Sequence, residues 1–161
     1  FLLDSKTIGQ LDSAIRSAKA DYAIIYSVAD STSAYSYEWS IKDVHKRTGE
    51  APGLLIATNH FMDPAWNSAE PSGDPHKSVT RRHNLVALGE KYKGVFNVQT
   101  MMNILDLPYE KGGVTVPGTI YEIVAVPAKR TIYLKAPEYQ DWVEINLNKY
   151  FEDGKAASRK K

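Results

Sequence analysis

Five segments of the chain are rich in apolar residues, and in the last of them apolar and polar residues alternate, so the pattern predicts five β-strands. β-branched and aromatic residues are frequent in these segments, which is typical of strands. Short polar turns join the first strand to the second and the third to the fourth, so the pattern predicts two antiparallel hairpins. The predicted strands are residues 22–29, 34–40, 119–126, 130–135 and 142–147.

Apolar residues at helical spacing predict three α-helices. In the first, Lys6–Lys19, residues Ile8, Leu11 and Ile15 fall on one face, and Ser5 is the expected N-cap. The other two helices are predicted at residues 78–93, which Gly94 ends, and at residues 97–106, which Asn97 caps. The order strand-rich, helix-rich, strand-rich predicts an α+β fold built on antiparallel sheets.

The central stretch of the chain combines an apolar run with a polar ending. Leu54–Thr58 predicts a buried strand, and Asn59 and His60 follow it directly. A loop rich in Pro, Gly, Ser and Asp occupies residues 60–77, which is long for a compact domain and indicates a functional role. Polar side chains at the end of a buried strand are held rigidly, which suits a binding or catalytic site.

Length and composition predict one soluble globular domain, residues 1–153, followed by a basic disordered tail at residues 154–161. The 20 Lys and Arg residues nearly balance the 19 Asp and Glu residues, so the charge provides no general attraction to nucleic acid or to an anionic membrane. No apolar run is long enough to span a bilayer. The compartment cannot be inferred, since a bacterial cytoplasmic location and an exported one both fit the sequence.

The chain contains no cysteine, which excludes a disulfide, a thiolate zinc site and a Cys nucleophile within these 161 residues. The spacing of His60, Asp63, His76 and His83 matches no standard metal motif, so we expect no metal. A triad of Ser78, His83 and Asp63 can be written down, but no nucleophile-elbow sequence supports it. We also expect no other cofactor.

Two features of the remaining sequence bear on possible sites. Glu38 is a lone carboxylate among aromatic residues, and we interpret it as a solvent-facing strand residue. The Arg81–Arg82 pair near a helix start is either a solvated face or an anion site in which Arg clamps a carboxylate. Asn59 has an amide N–H that can stabilise a developing oxyanion.

The segment Thr58-Asn59-His60-Phe61, followed by the helix start Ser78-Val79-Thr80-Arg81-Arg82, resembles the linear amide C–N hydrolases of the N-terminal nucleophile superfamily. That group includes the choloylglycine hydrolases, the acyl-CoA:isopenicillin N acyltransferases and the acid ceramidases. The two hairpins fit the same frame, and the resemblance covers most of residues 10–150. It implies a four-layer αββα sandwich, of which this chain is the C-terminal portion.

The resemblance also implies roles for single residues. Asn59 takes the place of the oxyanion-hole Asn, and Arg81 that of the Arg which orients the nucleophile region. Thr80 matches a hydroxyl-bearing position beside that Arg in the acyltransferases. His60 and Phe61 are the neighbouring candidates for contact with a small amide substrate.

In the family, an N-terminal Cys freed by self-cleavage is the nucleophile, and this chain has none. The implied partner is therefore a Cys-bearing segment or subunit, without which the chain is expected to be inactive. Hydrolase and acyltransferase activity both stay open, as does a homo-oligomer. The alternative is a non-catalytic ligand-binding or assembly domain that keeps the sandwich fold.

Overall fold

A computed structural model of the chain describes residues 4–67 and 70–150. The chain forms two compact units, Phe1–Gly89 and Glu90–Lys161. The single domain expected over residues 1–153 stays a prediction. The tail expected at residues 154–161 lies outside the described residues.

In its described residues, the first unit contains one helix, one three-stranded antiparallel sheet and most of a second helix. The sheet has the order β1-β2-β3, so β2 is central. Its elements are α1 (Ile8–Ser17), β1 (Ile24–Ala29), β2 (Ala34–Trp39), β3 (Val44–Arg47) and α2 (Ser78–Lys91), with 3₁₀ turns at Pro64–Trp66 and Pro75–Lys77. The first predicted hairpin is therefore confirmed.

The second unit has the same kind of antiparallel sheet, in the order β4-β5-β6. Its elements are α3 (Val98–Asp106), β4 (Glu122–Val126), β5 (Thr131–Ala136) and β6 (Gln140–Asn146), with 3₁₀ turns at Tyr109–Lys111 and Pro127–Lys129. Asn97 caps α3 as predicted, since its side chain accepts a hydrogen bond from the backbone N–H of Thr100. The predicted α+β class with antiparallel sheets is confirmed.

The core of the first unit lies between α1 and one face of the sheet. Leu11 and Ile15 of α1 pack with Tyr37 and Trp39, which point to the same side of β2 because alternate residues of a strand share a face. The hydroxyl of Tyr37 donates a hydrogen bond to Asp12 Oδ1 at 2.8 Å. Helix α1 is thereby fixed to the sheet by apolar packing and by one polar contact.

The predicted start of α1 is wrong. Thr7, and not Ser5, is the N-cap, and its hydroxyl accepts a hydrogen bond from the backbone N–H of Gln10 at 3.2 Å. The Gln10 side chain accepts in turn from the backbone N–H of Lys6 at 2.7 Å. Thr7-Ile8-Gly9-Gln10 is thus a close variant of the capping box, and this signal is present in the sequence.

The predicted strand Leu54–Thr58 is also wrong. Leu54 forms an isolated bridge with Ala51, and residues 55–58 belong to no strand. Side chains replace the strand partner, because Ile56 N donates to Glu50 Oε2 at 2.9 Å and Ile56 O accepts from Arg47 Nη2. The apolar run is therefore an extended segment whose backbone is bonded to side chains.

Candidate functional site

A cleft of about 630 Å³ lies in the first unit, between β1 and the extended segment that follows Ile56. Its walls are about equally polar and apolar. The lining residues are Ala23, Ile24, Ile25, Ser27, Ala57, Thr58, Asn59, Phe61 and Arg81. A concave surface that brings several polar side chains together beside apolar ones can bind a small polar molecule.

Asn59 and Arg81, to which the resemblance assigns roles in one site, meet in this cleft. Arg81 Nη2 donates to Asn59 Oδ1 at 2.5 Å, and Arg81 Nε donates to the carbonyl oxygen of His76 at 3.2 Å. A guanidinium has only donors, so the oxygen of the Asn59 amide must face Arg81. The two N–H groups of Asn59 Nδ2 are consequently at the other end of the amide, and the described residues supply no partner for them.

The position of Arg81 follows from the way α2 begins. Asp74 Oδ1 accepts from Val79 N at 2.7 Å, and Asp74 Oδ2 accepts from Thr80 N at 3.2 Å and from Thr80 Oγ1 at 2.6 Å. These bonds, the Thr80 hydroxyl first, lower the pKa of Asp74. Asp74 thus satisfies backbone N–H groups of the first turn, and Arg81 follows directly on that turn.

Thr80 is engaged by Asp74 and does not line the cleft that the described residues form. Its contact with a substrate stays a prediction. The Thr80 hydroxyl donates a hydrogen bond to Asp74, and Asp74 fixes the start of α2.

His60 is buried, with 8% of its surface exposed, and it ties the segment after Ile56 to α2. Its Nδ1 lies 2.5 Å from Ser78 Oγ and 3.3 Å from Thr58 Oγ1. Burial, and after it the nearby charge of Arg82, lowers the pKa of His60, so the imidazole is neutral at pH 7. Contact of His60 with a substrate stays a prediction.

Phe61 forms part of the cleft wall. Its ring stacks on that of Trp66, with centroids 4.9 Å apart, and Trp66 in turn packs against His45 at 4.1 Å. The expected role of Phe61 in substrate binding stays a prediction, but its ring is placed where an apolar group in the cleft would contact it.

The interpretation of Glu38 as solvent-facing is wrong, because only 1% of its surface is exposed. Glu38 Oε1 accepts from Arg47 Nε at 3.1 Å and from Met62 N at 2.8 Å. Glu38 Oε2 accepts from Asp63 N at 2.8 Å and from Trp66 Nε1 at 2.9 Å. All four donors come from outside β2, so one carboxylate holds the loop of residues 62–66 against the sheet.

Charge compensation makes this burial tolerable. Arg47 also donates from Nη1 to Glu50 Oε1 at 2.8 Å, and Arg82 Nη2 lies 3.8 Å from the same oxygen. Two carboxylates, Glu38 and Glu50, therefore face two guanidinium groups. A buried ion that has both a counter-charge and a full set of hydrogen bonds avoids most of the desolvation penalty of an isolated one.

The outer edge of β1 is open toward the cleft. The hydrogen bond from Asp30 N to Ser33 O, 2.9 Å long, closes the hairpin. It therefore determines which residues of β1 form backbone hydrogen bonds with β2. Even-numbered residues of β1 consequently direct their backbone N–H and C=O groups at β2, whereas Ile25 and Ser27 direct theirs outward. Ile25 and Ser27 both line the cleft, and within the described chain no further partner is found for their backbone groups.

The triad written from the sequence is not assembled. Ser78 contacts His60, His83 Nε2 lies 3.6 Å from Glu70 Oε1, and Asp63 Oδ1 lies 3.8 Å from His45 Nδ1. Among residues 4–67 and 70–150, no group of three or more His, Asp or Glu side chains is arranged to hold a metal ion.

No protein-family model matches the sequence, and no curated protein matches it. None of the helices in the described part of the chain has the length and apolar character needed to cross a membrane. The geometry of the cleft is therefore the basis for a proposed function.

Proposed function

We propose that this chain supplies the oxyanion-binding part of a hydrolase or acyltransferase that acts on linear amide C–N bonds. The nucleophilic Cys is contributed by a segment or subunit outside these residues. The observation that carries the proposal is the Asn59 amide, whose oxygen is held by Arg81 beside the open edge of β1. The four-layer αββα sandwich implied by the resemblance is part of the same proposal.

The open edge of β1 explains how such a segment joins the cleft. An extended peptide adds to a free strand edge through backbone hydrogen bonds, as in β-augmentation. Ile25 and Ser27 offer both donors and acceptors toward the cleft, and Asn59 lines the same space. A segment whose terminal residue pairs opposite Ile25 or Ser27 would have that residue within the cleft.

The proposed reaction has the following steps. The α-amine of the terminal Cys takes the thiol proton, and the sulfur attacks the carbonyl carbon of the amide. The electron pair of the C=O bond moves to oxygen, which accepts a hydrogen bond from Asn59 Nδ2. When this intermediate collapses, the C–N bond breaks, the amine leaves with the proton, and the acyl group stays on sulfur as a thioester. Water or an acceptor amine then releases the acyl group.

Arg81 contributes orientation and charge. Burial lowers the pKa of its guanidinium, but an arginine stays protonated at physiological pH. Its bond to Asn59 Oδ1 polarises the amide and directs the N–H groups away from the helix. Its fixed positive charge lies behind the Asn59 amide, on the side away from the developing oxyanion, and adds to the electrostatic stabilisation of the transition state.

The test is amide hydrolysis by the chain assembled with a Cys-bearing segment, encoded upstream or supplied as a second chain. Replacing Asn59 by Ala is expected to lower kcat about a hundredfold or more with a small change in KM, because the lost bond forms fully only in the transition state. Asn103→Ala, on the exposed side of α3, is the matched control and should leave kcat unchanged.

Full activity of the Asn59→Ala variant would remove the chemistry assigned to this residue. If no Cys-bearing segment produces amide hydrolysis, the non-catalytic alternative, a ligand-binding or assembly domain, is favoured instead.

A further inference from the structure

Glu38 has a hydrogen-bond environment that only a carboxylate can fill. Its four partners are the Arg47 guanidinium, two backbone N–H groups and the indole N–H of Trp66, and all are donors. A glutamine in its place would put an NH₂ group against two of these donors. An aspartate would be one methylene too short to keep both oxygens in place. The site is therefore specific for glutamate in both charge and length.

The residues that Glu38 holds are continuous with the wall of the cleft. Met62 directly follows Phe61, and Trp66 carries the ring on which Phe61 stacks. On the other side of Phe61, His60 is bonded to Ser78. Phe61 thus lies between two anchors, His60 bonded to α2 and Met62 bonded to Glu38 of the sheet, and Asn59 directly precedes the first of them.

We infer that Glu38 is the positioning residue of this cleft: it sets the Phe61 wall through Met62, Asp63 and Trp66. Its consequence for catalysis rests on the proposed function, whereas its effect on the position of the segment does not. Catalytic geometry is sensitive to displacements of about 1 Å, which can cost about a hundredfold in rate. A carboxylate outside the cleft can therefore control the chemistry within it.

The first measurement is amide hydrogen exchange in the full chain, which requires no substrate. In Glu38→Gln, exchange at Met62, at Asp63 and at the Trp66 indole is expected to accelerate at least about tenfold. Exchange at Ile15 in α1 should change far less. Equal acceleration at Ile15 and at Met62 would show that Glu38 only stabilises the unit as a whole, and would overturn the inference.

The second measurement is kinetic and uses the assembled protein. Glu38→Gln is expected to lower kcat/KM about a hundredfold. Leu11→Ala, which weakens the core of the same unit without touching the segment, is the stability-matched control and should retain activity while folded. If both variants lose activity in proportion to lost stability, Glu38 is not a positioning residue.

A milder variant covers the case in which Glu38→Gln does not fold. Trp66→Phe removes one donor and keeps an aromatic ring, so the segment should loosen locally, with faster exchange at Met62 and unchanged exchange at Ile15. No change at Met62 would count against the inference. Absence of amide hydrolysis in the unsubstituted assembly would instead reject the proposed function and leave the exchange result valid.

Discussion

At the scale of single residues, the structure gives specific hydrogen-bond partners to polar side chains whose role the sequence does not determine. Asn59 and Arg81 could be paired from the sequence because each stands beside a recognisable signal, the end of an apolar run and the start of a helix. Glu38 could not be understood in this way. Its donors Met62 and Trp66 lie 24 and 28 residues away along the chain, and no local pattern records such contacts.

The burial of His60 predicts a dependence of stability on pH. Its pKa in the folded protein is below the ordinary value of 6.5, so the unfolded chain takes up a proton first as the pH falls. The free energy of unfolding is therefore expected to be constant above about pH 7, to fall as the pH drops through 6.5, and to level off below the folded pKa.

The matched comparison is His60→Asn, whose side-chain oxygen can still accept from Ser78. This variant should be less stable at pH 8 and should lose less stability between pH 7 and pH 5 than the unsubstituted chain. Denaturant unfolding at several pH values measures both curves. Parallel curves would mean that His60 does not titrate differently in the folded state.

At the scale of elements, alternation and capping signals predicted most of the structure. The hairpins were predicted from strand-forming segments joined by short turns, and the Asn97 cap from its position before an apolar helical stripe. The strand expected at Leu54–Thr58 failed because an apolar run indicates burial without specifying what bonds its backbone. Arg47 and Glu50 supply those bonds. That their side chains reach the backbone of Ile56 depends on the tertiary structure and not on a local sequence pattern.

The corrected start of α1 predicts different effects on stability for two substitutions. Thr7→Ala removes the acceptor for Gln10 N and should lower the free energy of unfolding by about 1 kcal/mol. Ser5→Ala should change it by less than about 0.5 kcal/mol, since Ser5 is not the cap. Thermal or urea unfolding of both variants checks this. A larger loss for Ser5→Ala would restore the original assignment of the cap.

At the scale of the whole molecule, the α+β class was predictable because strand and helix patterns differ in period over long stretches. The path of the segment between Ile56 and α2 was not, because it depends on two buried anchors that come from different elements. The open edge of β1 is the feature that links the fold to the proposed function. It is visible only once the hairpin register is known.

Hydrogen exchange at the edge of β1 tests the central claim, that a Cys-bearing segment completes the cleft. In the chain alone, the backbone N–H groups of Ile25 and Ser27 face the cleft and should exchange faster than that of Tyr26, which faces β2. In the assembled protein, exchange at Ile25 and Ser27 is predicted to slow to the rate of Tyr26. Unchanged fast exchange at both residues in an assembled, active protein would contradict the account.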